Sequence, residues 1–212
     1  MELSLIQKII IYALPVIFAI TVHEAAHGYV AKYFGDMTAH KAGRITLNPL
    51  KHIDLFGTIL LPALTIMLGG ILFGWAKPVP VNFAALRNPK KDMLWVAAAG
   101  PASNFLMAIF WVMVIKFSAN APEAIAYPLA MMGKAGISIN IVLMVLNLLP
   151  LPPLDGGRIA VSLLPTPYAI KFAQIERFGF IILIALLFSG ILNKILDPLI
   201  NVVYALINSL FG

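Results

Sequence analysis

Long apolar runs constrain this chain more than any other feature. Of its 212 residues, 61% are hydrophobic and 11% are charged, whereas a soluble domain averages about half apolar and about a quarter charged. The mean hydropathy of +0.94 agrees. Six apolar runs lie between short polar stretches, at about 5–34, 55–75, 93–117, 129–149, 178–189 and, more weakly, 191–210. Since about 20 apolar residues cross a bilayer as a helix, we expect an all-α, integral, multi-pass membrane protein with about five to six membrane segments.

The charge and the cysteine count narrow the class further. The net charge is +6, and the basic residues are spread through short loops. This distribution favours orientation by the positive-inside rule and contact with anionic lipid over nucleic-acid binding. The chain has no cysteine, which excludes disulfides, thiol catalysis and thiolate metal sites. We therefore expect a lipid bilayer as partner and no nucleic acid.

The second run, 55–75, is broken by glycine and proline and has basic residues on both flanks. Positive charge on both sides places both flanks on the cytoplasmic face, which favours a re-entrant segment. The alternative is an ordinary spanning helix whose glycines allow close packing. If the run re-enters, the connection 158–177 lies inside, and the regions around Asn120 and Lys194 lie outside.

An HExxH motif, His23-Glu24-Ala25-Ala26-His27, lies within the first apolar run. Residues four apart share a helix face, with Cβ atoms about 5–6 Å apart, so the two imidazoles can bind one zinc ion. Glu24 can then act as general base toward a water activated by zinc. Ionisable groups are rare in spanning helices, which favours a functional site. The alternative is a polar helix end at the membrane interface, with Glu24 and His27 solvated.

A catalytic zinc takes three protein ligands and one open position, so a third ligand must come from elsewhere. His40 and His52 lie in a polar stretch, which favours loop histidines over ligands. Asp155 follows a proline-broken backbone and precedes two glycines, which permit close approach. Its alternative is a turn-forming Asp-Gly at a helix end, but HExxH in the same chain favours the ligand.

Two asparagines lie inside apolar runs. Asn147 precedes Asp155 by eight positions, and its amide is a candidate donor to a developing oxyanion. An interhelical hydrogen bond is the alternative for Asn147. Asn104 lies four residues after Gly100, and a small-residue packing face explains this spacing well.

Together these motifs resemble the site-2 protease family of intramembrane zinc metalloproteases, peptidase family M50. The resemblance rests on His23 to His27, on Gly100 to Asn104, which looks like the family's Gly-x-x-x-Asn element, and on the stretch 147–158. Motif order and the intervening apolar runs agree over most of the chain. The pairing of HExxH with Leu-Asp-Gly is specific, whereas neither motif is specific alone.

The resemblance implies a site and a reaction. His23, His27 and Asp155 would bind one Zn²⁺, with Glu24 as catalytic base and Asn147 as stabiliser of the reacting carbonyl. The implied enzyme is a metalloendopeptidase that cuts within or near the transmembrane segments of membrane-protein substrates.

The resemblance also implies an architecture. Residues 43–74 would contain a membrane re-entrant β-hairpin that guides an unwound substrate segment toward zinc. The chain looks like the minimal type without a PDZ or CBS domain, so we expect residues 1–212 to form a single metalloprotease domain. We expect its location to be the plasma membrane of a prokaryote.

Two other functions stay open from the sequence. A small zinc transporter also places ionisable groups and broken helices at the membrane midplane, although we find no inverted repeat for alternating access. A catalytically inactive scaffold would hold no stoichiometric zinc. The change Glu24→Gln separates the first two, since a protease loses cleavage but keeps zinc.

Overall fold

The structure, a computed structural model, describes residues 4–60 and 77–211. Every regular element within these residues is helical, and none of them forms a strand. The α-helices are α1 (Leu5–Tyr33), α2 (Thr38–Lys41), α3 (Pro89–Ser118), α4 (Glu123–Asn147), α5 (Asp155–Leu163), α6 (Thr166–Ala173), α7 (Glu176–Phe188) and α8 (Ile191–Phe211). Single 3₁₀ turns lie at Pro49–Lys51 and Phe83–Ala85, and a π-helical turn lies at Leu55–Leu60.

Four helices in the described part are long and apolar enough to cross a membrane. Their candidate spans are Ile9–Tyr33, Pro89–Ser118, Ala124–Asn147 and Ile191–Phe211. Helix α7 has 13 residues, which is about 20 Å at the usual rise and less than the roughly 30 Å hydrocarbon core. Within the described residues the prediction of a helical protein with several candidate membrane spans is therefore confirmed, with four candidate spans where about five to six segments were predicted.

The predicted re-entrant β-hairpin, 43–74, falls partly outside the described residues, since 61–74 are not described. Its described part, 43–60, forms turns and short 3₁₀ and π-helical segments, and contains no strand. Described residues before and after the undescribed stretch nevertheless contact each other. The N–H of Lys77 donates to the carbonyl of His52 at 2.9 Å, and the Arg44 guanidinium donates to the carbonyls of Lys77 and Pro78. His52 and Lys77, which flank the run 55–75, therefore lie side by side.

Helix α1 ends in a turn that brings the chain back to the start of α3. Gly35 has a φ of +105°, which a residue without a Cβ adopts readily. Beyond this turn, the N–H of Arg87 donates to the carbonyl of Phe34 at 3.0 Å. The end of α1 and the start of α3 therefore lie at the same end of the bundle.

Three long helices, α1, α3 and α4, pack against one another, and α5 packs against α3. A buried apolar cluster joins α3 and α4 to α7 and α8 through Ala108, Ile141, Met144, Val145, Leu149, Leu183, Leu192, Leu196 and Ile207. Large apolar side chains also cover the outside of the bundle, as at Ile10, Leu106 and Val202. Such an exterior matches lipid and leaves the interior between α1, α3 and α4 for polar groups.

Candidate metal centre

The HExxH turn of α1 presents its two histidines to the inside of the bundle. His23 and His27 lie one helical turn apart and are both buried. Their Nε2 atoms are 3.1 Å apart, and their rings meet edge to face with centroids 4.7 Å apart. The i, i+4 spacing thus does what the sequence predicts, since it brings two imidazole nitrogens to one point.

Asp155 reaches the same point, although it lies 128 positions after His27 in the chain. Its Oδ2 lies 3.2 Å from His23 Nε2 and 3.3 Å from His27 Nε2, and the residue is buried. Asp155 is the first residue of α5, where a carboxylate is favoured by the helix dipole.

Two glycines let the start of α5 reach this position. A Cβ on Gly156 would overlap the backbone of Leu148 and Leu149, and a Cβ on Gly157 would overlap that of Leu151 and Pro152. The proline-rich turn after α4 thus folds directly onto the first turn of α5. The expectation that glycines permit close backbone approach here is confirmed.

The three converging atoms fit a bound cation. The Oδ2 of Asp155 is buried and has no hydrogen-bond partner. Each imidazole uses its Nδ1 elsewhere, so in the neutral ring Nε2 carries a lone pair. Electron-rich atoms 3.1–3.3 Å apart repel one another unless a cation lies between them. A tetrahedral zinc ion with bonds of about 2.0–2.1 Å sets its ligand atoms about 3.3–3.4 Å apart, so the donors and their spacing fit one zinc.

Each histidine is oriented by a buried partner on α3. The Nδ1 of His27 lies 2.7 Å from the carbonyl of Val96, and the Nδ1 of His23 lies 2.6 Å from the Oδ1 of Asn104. Partners of this kind fix the ring and the tautomer of a metal-binding histidine. Sequence reasoning took Asn104 for part of a packing face and missed this contact, although its place one turn after Gly100 was the available signal.

Gly100 packs directly against the cluster. A Cβ there would overlap the rings of both His23 and His27, and would come within 2.6 Å of the Nε2 of His23. The close approach of α3 to the HExxH turn therefore requires a residue without a side chain.

Glu24 is half-buried beside the cluster and is held by a main-chain donor. The N–H of Val79 donates to its Oε2 at 2.7 Å. Val79 lies between Pro78 and Pro80, which have no N–H of their own. A pattern of side chains does not show where a main-chain N–H donates, so the contact between Val79 and Glu24 could not be predicted from the sequence.

The remaining predicted residues lie apart from the three-residue cluster. Asn147 is half-buried, and its Nδ2 donates to the carbonyl of Leu143 in its own helix at 2.9 Å. His40 is exposed, and its Nδ1 is 3.4 Å from the Lys32 ammonium. His52 is buried, and its Nε2 lies 2.9 Å from the carbonyl of Thr46. Among the described residues, His23, His27 and Asp155 are the group whose ligand atoms can share a metal ion.

A buried His-His-Asp cluster with an adjacent glutamate, set among apolar helices long enough to span a membrane, is typical of a metal-dependent hydrolase of the membrane. Comparison with known families makes the assignment specific. The chain belongs to peptidase family M50, the site-2-type zinc metalloproteases, whose family model matches residues 11–134 and 112–190. The resemblance seen in the sequence is thereby confirmed.

Similar proteins carry related names. The protein named "Putative zinc metalloprotease YwhC" of Bacillus subtilis (strain 168) is 41% identical over 203 residues, covering 94% of this chain and 88% of YwhC. "Putative zinc metalloprotease Rip2" of Mycolicibacterium smegmatis is 32% identical over 84% of this chain and 66% of its own length. Rip2 of Mycobacterium tuberculosis H37Rv is 27% identical over 82% of this chain and 65% of its own length. No solved structure matches the chain.

Proposed function

We propose that this zinc metalloprotease cuts peptide bonds within or near the transmembrane segments of membrane-protein substrates. In this proposal His23, His27 and Asp155 hold one Zn²⁺ per chain. The observation that carries it is the convergence of two Nε2 atoms and one Oδ2 atom within 3.3 Å inside a bundle with four candidate spans. Membership of family M50 supports protein substrates.

The chemistry divides between the ion and the chain. A zinc bound here would polarise the reacting carbonyl and make water a nucleophile near neutral pH. Glu24 has one carboxylate oxygen fixed by the N–H of Val79, so its other oxygen is the proposed base. It takes the proton from the attacking water and passes it to the leaving amine.

Asn147 is the proposed donor to the carbonyl oxygen as negative charge develops there. Its amide now donates to Leu143, so the side chain would exchange this partner for the substrate. The exchange leaves the Leu143 carbonyl with the partner that an α-helix supplies four residues later, the main-chain N–H of Asn147.

The segment 55–75 is proposed to re-enter the membrane from the cytoplasmic side and to receive the unwound substrate. The hydrogen bond between Lys77 and His52 supports this, since a segment that crossed the bilayer would end about 30 Å from its start. A helix that unwinds in lipid exposes unsatisfied backbone groups. Pairing with an extended segment would satisfy them.

Membrane organisation completes the proposal. The four candidate spans, the re-entrant segment and the short apolar helix α7 make up the six membrane segments of a single domain covering residues 1–212. The similar proteins named above are bacterial, which supports location in the plasma membrane of a prokaryote.

Glu24→Gln tests the proposed reaction. The variant and the wild type are reconstituted with single-span test proteins tagged at both ends, and fragments are identified by mass spectrometry. Because only the base is lost, we expect cleavage to fall by about 10²–10⁴-fold with zinc content unchanged. Glu176→Gln, the same change at an exposed glutamate of α7, is the matched control and should cleave normally.

The same preparations separate the protease from a transporter. Zinc uptake into proteoliposomes by the wild type, with no cleavage of any test protein by either form, would refute the proposal. Equal cleavage by wild type and Glu24→Gln would remove Glu24 from its role as base.

A further inference from the structure

A line of buried amide hydrogen bonds leads from His23 to helix α4. The Nδ1 of His23 lies 2.6 Å from the Oδ1 of Asn104, and the Nδ2 of Asn104 donates to the Oδ1 of Asn140 at 2.9 Å. The Nδ2 of Asn140 then donates to the carbonyl of Gly136 at 2.8 Å. The Nδ2 of Asn104 also lies 3.5 Å from the carbonyl of Ala19, which is a longer contact. Both asparagines are 0% exposed.

The direction of this line is set at its far end. The Gly136 carbonyl can only accept, so Asn140 presents its NH₂ group there and turns its oxygen toward Asn104. Asn104 must then present its own NH₂ group to that oxygen, which leaves its Oδ1 facing His23. An oxygen accepts only from a protonated nitrogen, so the proton of His23 sits on Nδ1.

A main-chain carbonyl of a neighbouring helix therefore orients each histidine, directly or through side-chain amides. His27 reaches the carbonyl of Val96 directly, whereas His23 reaches that of Gly136 through two amides. In either case Nδ1 is the donor and Nε2 keeps its lone pair. With the opposite tautomer, the Nε2–H of His23 would point at Asp155 and occupy the position of the ion.

We propose that Asn140 is a positioning residue of the metal centre, which acts through Asn104 to select the His23 tautomer that can bind the metal. This inference rests on the proposed zinc site. The competing explanation is an ordinary hydrogen bond that holds α3 to α4. Packing alone needs no particular direction in the amides, whereas metal binding at His23 Nε2 does.

Asn140→Ala tests the proposal, because a cavity or a water molecule in place of the amide imposes no direction. The first readout is the ¹⁵N spectrum of metal-free, histidine-labelled protein in detergent at a pH where the rings are neutral. We expect one Nδ1–H tautomer for His23 in the wild type and a mixture in the variant, with His27 unchanged. The second readout is the zinc dissociation constant by chelator competition, which should rise about tenfold.

Ser118→Ala is the matched control. Ser118 is buried in α3, and its hydroxyl donates to the carbonyl of Ile115 at 2.7 Å. This change removes a buried hydrogen bond outside the line of amides, so it should move neither readout. If it moved both as Asn140→Ala does, general destabilisation would explain the effect and the proposal would be overturned.

Folded Asn140→Ala protein with either the wild-type His23 tautomer or the wild-type zinc affinity would also overturn it. If that variant does not fold, Asn140→Val takes its place, since it fills more of the volume and still offers no hydrogen bond. Failure of the zinc site itself has a different signature. A wild-type chain that binds no zinc would refute the proposed function, while the metal-free spectra would still report the effect of Asn140 on His23.

Discussion

At the scale of single residues, Gly100 has little room for change beside the proposed metal ligands. A methyl group at this position would overlap both imidazoles. Helix α3, which would carry the methyl group, packs against both α1 and α4 and so has little freedom to move away. The rings would have to turn away from Asp155 to accommodate it. The close contact between the α3 backbone and the proposed ligands therefore belongs to the candidate site and not only to the packing of the helices.

Because the added methyl group would displace both rings, Gly100→Ala should weaken the affinity for zinc by more than about tenfold. A tenfold loss of metal affinity is the lower end of what changes around a metal ligand usually cause. Competition with a chelator measures this. Gly133→Ala is the matched control, because its Cβ would press on the flexible side chain of Ile115 and not on the cluster. Equal loss of zinc affinity in both variants would show that the effect is only destabilisation.

The sequence predicts those site residues whose relative position is set within a single helix. His23 and His27 meet because of a four-residue spacing, and this spacing is visible in the chain. The approach of Asp155 depends on how α5 folds onto α3, which no local pattern shows, so chemistry and family resemblance had to suggest it. Asn104 was underestimated, because the same spacing from Gly100 fits either a packing face or a hydrogen bond.

At the scale of elements, a buried carboxylate ties the end of α1 to the segment that carries Val79. The Oδ1 of Asp36 accepts from the N–H of Thr38 at 2.9 Å, and its Oδ2 accepts from the N–H of Asn82 at 2.7 Å. Burial by itself would raise the pKa of the Asp36 carboxyl, but the hydrogen bonds from Thr38 and Asn82 outweigh it and hold this pKa below its ordinary value.

The sign of the resulting pH dependence follows from that direction. A pKa lower in the folded than in the unfolded chain adds stability that is complete above the unfolded value of about 3.9. This stability is lost as the pH falls through the folded value. Acid should therefore loosen the attachment of the segment 77–82 to α1.

Asp36→Ala should lower the free energy of unfolding by about 1–3 kcal/mol at neutral pH, because two part-buried N–H groups lose a charged acceptor. The loss should shrink as the pH falls below about 4. Thermal unfolding in detergent across this pH range measures both effects. Asp197→Asn, at an exposed position of α8, is the control, and an equal loss there or a loss independent of pH would contradict the account.

The elements were predicted in unequal measure. Long apolar runs predicted α1, α3, α4 and α8 to within about six residues at each end, because a single apolar segment satisfies its own backbone in lipid only as a helix. The run at 178–189 gave a helix of only 13 residues, too short to be a candidate span. Whether the run at 55–75 re-enters depends on tertiary contacts such as that between His52 and Lys77.

At the scale of the whole molecule, the account requires the flanks of the run 55–75 to lie on one side of the membrane. The hydrogen bond from Arg87 to Phe34 and that from Lys77 to His52 both join these flanks. From the basic residues around them we expect this side to be the cytoplasmic one, with the loop after α3 on the other side.

Because the chain has no cysteine, single cysteines can be introduced without first removing native ones, and their labelling reports this arrangement. In intact cells, Lys41→Cys and Lys91→Cys should resist a membrane-impermeant thiol reagent, and Asn120→Cys should react. All three should react after the membrane is opened, which is the control for accessibility. Labelling of Lys41→Cys and Lys91→Cys on opposite sides would show that 55–75 spans the bilayer.

The central claim is that two imidazoles and one distant carboxylate share a single ion, and X-ray absorption at the zinc edge tests it most directly. The measurement is made on purified protein of known zinc content. We expect about one zinc per chain, with two nitrogen ligands and a carboxylate oxygen at about 2.0–2.2 Å. Asp155→Ala should remove most of this zinc. Zinc that is absent from the wild type, or that is bound equally well without Asp155, would contradict the claim.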